Sequence, residues 1–258
     1  MFERLKQGYT VDLELMPPRI RYHETIRIGA EARYRHKKQS GGAGQFAEVG
    51  LRIEPVARDE GFPFTPSLVD QDVDRVFVPA VEQSVQTAAI ERIHGGYRVT
   101  EVKINLFGGM IHPVDSKDIA FQIAGYLAFK EAFRPARPVL LEPIHELEIR
   151  VPEGFVGRVV GNISGRRGKI LGRDVSGRLE VLRAQVPAAQ RHHYQTVLRS
   201  LPGGRGLHAA KFSHSVDMPA ELEKTIVAEY VAARAAGTAR NHAHQSGAGA
   251  GGRADAGR

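Results

Sequence analysis

LEIRV, at residues 147–151, carries the clearest strand signature in this sequence. Its three apolar residues alternate with Glu148 and Arg150, and Pro152 follows directly. Successive side chains of a strand point to opposite faces, so this alternation predicts a strand with one buried face. The proline predicts the end of the strand, because it has no N–H group to donate to a neighbouring strand.

The residues that follow this strand predict one small domain, which we place at residues 138–219. The order strand, helix, strand, strand, helix, strand is that of the split βαβ, or ferredoxin-like, arrangement. Two helices on one face of such a sheet would leave its other face free to bind a partner. After the first strand, we expect a helix at 154–164, strands at 169–171 and 179–186, a helix at 192–201 and a strand at 207–213.

A second domain is expected upstream, at residues 18–137. Its glycine pair at 95–96 is expected to cap a helix, and the pair at 108–109 to end a strand at a loop. Ser116 or Asp115 is expected to cap a helix that is apolar on several faces and should be deeply buried. The expected elements are strands at 21–28, 49–54 and 102–107, a helix at 79–94 and a helix ending at Phe133.

The two ends of the chain lie outside these domains. Residues 1–17 are expected to be the remnant of a preceding domain, because so short a segment cannot form a core of its own. This predicts that the chain was cut from something longer. Apolar residues at helical spacing predict a terminal helix at 220–236. Residues 237–258 are rich in glycine and alanine, so we expect a disordered tail there.

The composition favours an anionic partner. The 258 residues include 36 Lys or Arg against 29 Asp or Glu, a formal net charge of +7. This balance suggests nucleic acid first and an acidic membrane surface second, and charge alone leaves both open. No apolar run approaches the roughly 18 residues of a membrane-spanning helix. The chain has no cysteine, which excludes disulfides and thiolate chemistry and is consistent with a reducing cytoplasm.

The sequence lacks the residues of a nucleotide-hydrolysing site or a metal site. Gly168-Lys169 resembles the end of a P-loop, but Ile170 stands where that loop needs a hydroxyl for the metal. We therefore expect no GTP hydrolysis by this chain alone, and no cofactor within it. The aspartates at 70–74 lack the later Gly and Glu of a calcium loop, so a solvated acidic loop is expected. The adjacent histidines at 192–193 would not share a helix face, so no metal is expected there.

A basic, glycine-rich loop at residues 36–45 is the first candidate binding feature. Lys37 and Lys38 precede a run of Gln, Ser and glycines that has little side-chain bulk. Lysines can neutralise phosphates, and exposed glycine backbone can approach an RNA surface closely. The pattern therefore suggests a contact with RNA.

Two further segments have open interpretations. The loop at 107–115 has an apolar pair beside His112 and Pro113. It could stack on RNA bases and hydrogen-bond to them. Alternatively, it is a flexible turn, or its histidine caps the next helix. The segment 158–173 has five Lys or Arg and no acid, and is either an RNA contact or an ordinary solvated surface.

Six short motifs stand in order along the chain: PRIRYHETI at 18–26, KQSGGAGQF at 38–46, HPVDS at 112–116, PVLLEPI at 138–144, GRRG at 165–168 and FSH at 212–214. Together they resemble the elongation factor G family, and they are most similar to its type 2 branch. The resemblance covers about residues 1–220. His23 stands where the family usually has Arg, and Gly108 and Ile111 replace the acid and tyrosine that usually precede His112.

The resemblance implies an α+β chain. Residues 18–137 would be domain IV, with a βαβ fold like that of a ribosomal protein, and residues 138–219 would be the ferredoxin-like domain V. In this family, tip loops of domain IV contact tRNA and mRNA in the decoding region, and domain V lies against rRNA of the large subunit. The implied tip residues are Lys37, Lys38, Gln39, Ser40, Gly41, Gly42, Gly44, His112 and Pro113. The implied rRNA contacts are Arg158, Arg166, Arg167 and Lys169.

Three functional hypotheses follow. The chain is the ribosome-binding C-terminal part of a translocation factor, acting with a GTPase module that is upstream or separately encoded and uses GTP and Mg²⁺. Alternatively, it is a stand-alone ribosome-binding module without GTPase activity. The third hypothesis is a ribosome-dependent GTPase whose catalytic part comes from upstream sequence. An upstream reading frame with a P-loop would favour the first and third, and a start site at Met1 the second. All three predict a cytoplasmic protein with no membrane partner.

Overall fold

The computed structural model describes residues 20–39, 44–68, 73–91, 93–191, 194 and 206–247, with backbone alone for 237–247. The segment at 1–17, expected to be a domain remnant, lies outside the described residues. The described chain divides into two compact units. The first combines Tyr22–Leu141 with the chain from Asp217 onward, and the second contains Glu142–Val216. The division falls a few residues from the predicted limits of 138 and 219, and it groups the terminal helix with the first unit.

The chain contains both strands, several of them consecutive, and helices, and the predicted α+β class is confirmed. The strands are β1 His23–Ile26, β2 Ala30–Lys38, β3 Gln45–Pro55, β4 Phe64–Pro66, β5 Arg98–Val99, β6 Val102–Met110, β7 Pro138–Val151, β8 Lys169–Ser176, β9 Leu179–Pro187 and β10 Leu207–Asp217. The α-helices are α1 Val78–Ile90, α2 Asp118–Phe133, α3 Val156–Ser164, α4 Ala188–Arg191 and α5 Ala220–Gly247. Single 3-10 turns at Arg75–Phe77 and Glu153–Phe155 lead into α1 and α3.

A four-stranded sheet with the order β2-β3-β6-β4 forms the centre of the first unit. Strand β3 pairs antiparallel with both β2 and β6, and β4 pairs parallel with β6. Helix α2 packs on β2 and β3, and α1 packs on α2, so both helices lie on the same face of the sheet. In the same unit, β1 pairs with β5 and with the first four residues of β7.

Helix α2 is deeply buried, as its apolar sequence predicted. Its alanines and phenylalanines form the centre of the core, and Phe121 stacks on Phe77 with ring centroids 4.4 Å apart. Each buried phenylalanine stabilises the fold by roughly 1.5–3 kcal/mol through removal of its ring from water. Gly125 faces Ser84 of α1, where a Cβ atom would lie 2.5 Å from the serine oxygen. The glycine therefore allows the two helices to pack closely.

Strand β2 lies in the basic segment for which the sequence predicted no strand. Its inward side chains include Ala30, Ala32 and Tyr34, which are only partly buried against the core. Its outward side chains are mostly charged and exposed. The alternation typical of a strand is present, but small inward residues make it weak.

Glu24 explains why α1 ends at Ile90 instead of at residue 94. Its fully buried carboxylate accepts hydrogen bonds from the backbone N–H groups of His94, Gly95 and Tyr97, at 2.9, 2.8 and 2.9 Å. A buried carboxylate needs such donors to replace its lost hydration. The glycine pair does not cap the helix. It lets residues 94–97 turn around Glu24, with Gly96 at φ +93°.

Three further expectations for the first unit differ from the structure. Strand β6 continues through the glycine pair to Met110, because it remains paired with β3. The residue that precedes α2 is Lys117, and no side chain caps the helix. Helix α5 extends to Gly247 instead of ending at residue 236. Residues 248–258 lie outside the described part.

The second unit has the predicted ferredoxin-like arrangement. Its strands follow the order β8-β9-β7-β10, and β9 pairs antiparallel with both of its neighbours. Val159 and Ile163 of α3 pack against the inward residues of β7 in one apolar core. The opposite side of β7 carries charged residues such as Glu148 and Arg150. Of the helix expected at 192–201, only Tyr194 is among the described residues.

No helix in the described ranges is both long enough and apolar enough to cross a membrane.

Replacement of Glu24 by Gln is expected to lower the free energy of unfolding by about 2 kcal/mol. The amide keeps one acceptor oxygen but brings an N–H₂ group against backbone N–H donors. Urea unfolding followed by circular dichroism measures the change. Glu54→Gln, at an exposed site on β3, is the matched control and should change stability by less than about 0.5 kcal/mol. Equal stability of the two variants would contradict the anchoring role of Glu24.

Candidate nucleic-acid interface

The end of the β2–β3 hairpin carries the first set of predicted site residues. Lys37 lies opposite Phe46 and Lys38 opposite Gln45, and both lysines and Gln39 are exposed. The hairpin thus holds two cations at its end. Ser40, Gly41 and Gly42 lie outside the described residues.

The loop between β6 and α2 is a closed turn built around His112. The backbone N–H of His112 donates to the Ser116 hydroxyl at 2.8 Å, and the N–H of Ser116 donates to the His112 carbonyl at 3.2 Å. His112 Nδ1 accepts from the N–H groups of Val114 and Asp115 at 3.4 and 3.3 Å. The histidine therefore organises its own turn instead of capping the next helix.

The hairpin and this turn are joined by hydrogen bonds. The Phe46 N–H donates to the Asp115 carbonyl at 3.0 Å, and the Ser116 hydroxyl donates to the Phe46 carbonyl at 2.9 Å. A Cβ atom on Gly44 would lie 2.7 Å from the Asp115 carboxyl carbon, so this position accepts only glycine without a shift. Two segments about 70 residues apart in sequence thus form one surface, which we call the tip: residues 37–39, 44–46 and 110–116.

The tip combines cations with exposed apolar side chains. Met110 and Ile111 are exposed, as expected from the sequence, and Val114 is 77% exposed. The His112 ring lies 6.0 Å from the Phe46 ring, and His112 Nδ1 lies 3.4 Å from the Asp115 carboxylate. Cations can neutralise phosphates, and apolar or aromatic side chains can stack on bases, so this surface suits RNA.

In the second unit, the four residues predicted to contact rRNA differ in their exposure and in their contacts within the protein. Arg158 and Lys169 are exposed, and the Arg158 guanidinium carbon lies 5.9 Å from the Phe155 ring centre. Arg166 is partly buried and donates to the Asn162 side chain at 2.9 Å and to the Gln190 carbonyl at 2.8 Å. Arg158 and Lys169 are thus more open to solvent than Arg166, which these two hydrogen bonds hold in place.

Arg166 also lies over the ring of Tyr194. The guanidinium carbon is 5.4 Å from the ring centre, within the range of a cation–π contact. Burial raises the pKa of Tyr194 to about 12, so the phenol stays neutral at physiological pH. A neutral ring beneath the guanidinium holds Arg166 in place without cancelling its charge.

Arg167 forms a two-pronged ion pair with Glu142, at 2.8 and 2.9 Å. The Glu142 carboxylate is buried, and Arg167 has a left-handed backbone with φ +57°. Both features indicate that the surrounding structure determines this side chain. Its guanidinium neutralises a buried acid, so less of it is available for a partner than the sequence suggested.

Among the described residues, no group of three or more acidic or histidine side chains is arranged to hold a metal ion. Asp74 accepts from the N–H of Val76 and caps the 3-10 turn before α1. Asp70, Asp72 and the histidines at 192–193 lie outside the described residues.

Sequence reasoning did not single out Val114 or the arginines of β2. Val114 follows His112-Pro113, and its exposure depends on the turn, which the sequence alone did not predict. Arg33 and Arg35 alternate with inward residues on the strand that was missed. The period-two spacing of these cations with Lys37 was the available signal.

Two family models match the chain. One, described as elongation factor G, domain IV, matches residues 18–137, and one described as elongation factor G C-terminus matches residues 139–226. Elongation factor G of Aquifex pyrophilus is 41% identical over 234 residues, which are 91% of this chain and 34% of that protein. An elongation factor G-like protein of Thermotoga maritima is 41% identical over 230 residues, 89% of this chain and 34% of that protein.

A crystal structure of a Thermus thermophilus protein is also similar, with a TM-score of 0.82 at 39% sequence identity. The match covers 89% of this chain and 34% of that one. The chain therefore spans about a third of the length of the relatives it matches.

Replacement of Ser116 by Ala is expected to loosen the link between the two parts of the tip, although the backbone hydrogen bond from Phe46 to Asp115 remains. It leaves the Phe46 carbonyl and the His112 N–H without this partner, at a cost of about 1–2 kcal/mol in unfolding free energy. The amide NMR shifts of residues 44–46, 112, 114 and 115 should change with it. Ser67→Ala, at an exposed serine of the same unit, should leave these shifts unaltered. Unchanged tip signals in Ser116→Ala would show that the hydrogen bonds do not hold the tip together.

Replacement of Arg167 by Ala is expected to destabilise the second unit by about 3 kcal/mol, because Glu142 would remain buried without its ion pair. Arg158→Ala, at an exposed site, should change stability by less than about 0.5 kcal/mol. Denaturant unfolding of both variants measures the difference. A second substitution, Glu142→Gln, should restore part of the loss, and an additive double variant would argue against the pair.

Proposed function

Because the chain belongs to the elongation factor G family, we propose that it is the ribosome-binding C-terminal part of a translation elongation factor. The observation that carries this proposal is the tip, where two distant segments are joined into a surface of cations and exposed apolar groups. The matches to domain IV and to the C-terminus of elongation factor G support the same assignment.

In this proposal, the tip contacts the tRNA and mRNA in the decoding region of the small subunit. Lys37 and Lys38 neutralise phosphates, and the exposed apolar groups near His112 meet bases or sugar. The hydrogen-bonded turn fixes the position of these groups before binding, so less conformational entropy is lost on contact. The tip acts as a shaped, charged surface and performs no covalent step.

The second unit contacts rRNA of the large subunit. Of the four residues expected to contact rRNA, Arg158 and Lys169 are exposed cations, and Arg166 adds a charge held over Tyr194. Arg167 contributes mainly through Glu142, by holding the structure around its neighbour Arg166. Two separate cationic surfaces on one chain are suited to two different regions of a large RNA assembly.

We assign no nucleotide hydrolysis to the residues of this chain. Gly168-Lys169-Ile170 lacks the metal-binding hydroxyl of a P-loop, so Mg²⁺ and GTP have no such site here. Translocation would need the GTPase module of the family, in the same polypeptide or in a separate one. The chain would then work in the cytoplasm, where ribosomes translate.

Binding of this chain to purified bacterial ribosomes is expected to weaken steeply with salt, because phosphate contacts release counterions. Double replacement of Lys37 and Lys38 by Ala should lower the affinity and reduce the slope of log affinity against log salt by about two, roughly one for each lysine. Sedimentation of labelled protein with ribosomes between low and moderate salt gives both quantities.

The control is replacement of Lys211 and Lys224 by Ala, which removes the same charge away from the tip. Both lysines are exposed and paired with acids, at 3.2 Å to Glu146 and 2.9 Å to Glu221. A loss of slope equal to that of the tip variant would show that net charge, and not the tip, governs binding. Ribosome affinity that does not depend on salt would contradict the proposal as a whole.

A further inference from the structure

The four-stranded sheet of the first unit has a face that no described helix covers. Helices α1 and α2 pack on the other face. We call the uncovered side the outer face. Its side chains are Glu31, Arg33, Arg35 and Lys37 of β2, Glu48, Gly50, Arg52 and Glu54 of β3, and Lys103, Asn105 and Phe107 of β6.

Phe107 lies on the outer face by the regular alternation of β6, and a β-bulge leaves it without a partner on β3. Gly50 pairs with Gly108 and Leu51 pairs with Leu106, so Phe107 lies between two paired residues and has no partner of its own. A bulge re-aims a side chain and is common beside functional sites. Here it leaves an outward-facing aromatic ring unpaired beside Gly50, while the neighbouring Leu106 faces inward and is fully buried.

Gly50 allows the Phe107 ring to lie across β3. A Cβ atom on Gly50 would be 3.0 Å from the ring and 3.3 Å from the Arg33 side chain. Any larger residue would therefore push the ring and the arginine apart. Glycine inside a strand weakens it, and it often marks a site where something approaches closely. In this strand the missing side chain lets a ring from β6 reach an arginine from β2.

Two arginines flank the ring. The guanidinium carbon of Arg33 is 5.0 Å from the ring centre and that of Arg52 is 5.8 Å. Their side chains are 56% and 44% exposed, so both are accessible from solvent. Glu31 holds Arg52 at 2.6 Å and Glu48 lies 3.6 Å from Arg33, which restricts the orientation of each guanidinium.

The outer face has more cations than acids. Five Lys or Arg stand against three Glu, an excess of two positive charges before any partner binds. This excess suits a polyanion, and the flat ring between two guanidinium planes suits the flat faces of unpaired bases. An acidic peptide would use the cations but would gain little from the ring. The combination therefore favours single-stranded nucleic acid.

We propose that the outer face binds unpaired RNA, with one base stacked on Phe107 and the flanking arginines on the adjacent base or phosphate. The outer face adjoins the tip and shares Lys37 with it, but Phe107 and its two flanking arginines lie outside the tip. This binding does not depend on the ribosome, so it can be tested with free RNA. If this binding to free RNA were absent, the proposed function would still stand.

The test is fluorescence anisotropy of the full chain with a labelled single-stranded RNA of eight uridines. Phe107→Leu keeps an apolar side chain but removes the ring, and it should weaken binding about tenfold, a typical effect of losing one stacking aromatic. The slope of log affinity against log salt should stay unchanged, because no charge is removed. Phe212→Leu, at an aromatic that is 56% exposed in the other unit, should bind like the parent chain.

Two further measurements test whether the RNA binds at the outer face and whether unpaired RNA is the preferred ligand. In NMR titrations with the same RNA, the amides of residues 50, 52 and 107 should shift at concentrations that leave residues outside the outer face and the tip unchanged. A duplex of the same RNA length should bind more weakly, since its bases are already stacked on each other. Equal affinity of Phe107→Leu and the parent chain, or tighter binding of the duplex or of an acidic peptide, would overturn the proposal.

Discussion

The close approach of β6 to β3 at Gly109 is the constraint on which the tip depends. A Cβ atom on Gly109 would lie 2.2 Å from the Glu48 carbonyl oxygen and 2.6 Å from the Val73 side chain, so any other residue would force the strands apart. Beyond this point Met110 pairs with Glu48, and the chain enters the turn around His112 directly against Phe46. The hydrogen bonds of Ser116 then act between segments that the backbone has already brought together.

The sequence predicted those parts of the fold where large apolar residues alternate with charged ones. The alternation in β3 and in β7 was sufficient, because burial of large apolar side chains dominates the free energy of these strands. Strand β2 was missed because the inward residues Ala30 and Ala32 are small. The pair Gly108-Gly109 was expected to end a strand, and instead it continues one. The low strand propensity of glycine predicts that β6 ends there. Only the close approach of the neighbouring strand β3 explains why glycine is needed.

The sequence predicted which charged residues lie in the candidate site, but not the hydrogen bonds and ion pairs that connect them to other segments. Hydration of the charged groups and the shortness of the loop were enough to predict that Lys37, Lys38 and the apolar residues after the glycine pair are exposed. Ser116 was expected to cap a helix. Instead, its hydroxyl donates to the carbonyl of Phe46, 70 positions away, and so links the two segments of the tip. Arg167 was expected to contact a partner, and nothing in the sequence indicated its ion pair with Glu142, 25 positions away. Polar side chains have several satisfactory partners, and tertiary structure selects among them.

The first unit is discontinuous in sequence, and this has a consequence for its synthesis. Glu223 of α5 accepts hydrogen bonds from the Leu140 N–H and from the His94 ring, and the Met218 N–H donates to the Leu140 carbonyl. A growing polypeptide therefore cannot complete this unit until residues beyond 217 have left the exit tunnel. Residues 142–216 are contiguous and emerge earlier, so they can reach their final structure while the first unit still lacks its last helix. Until then, the backbone N–H and carbonyl of Leu140 lack the partners that Glu223 and Met218 supply.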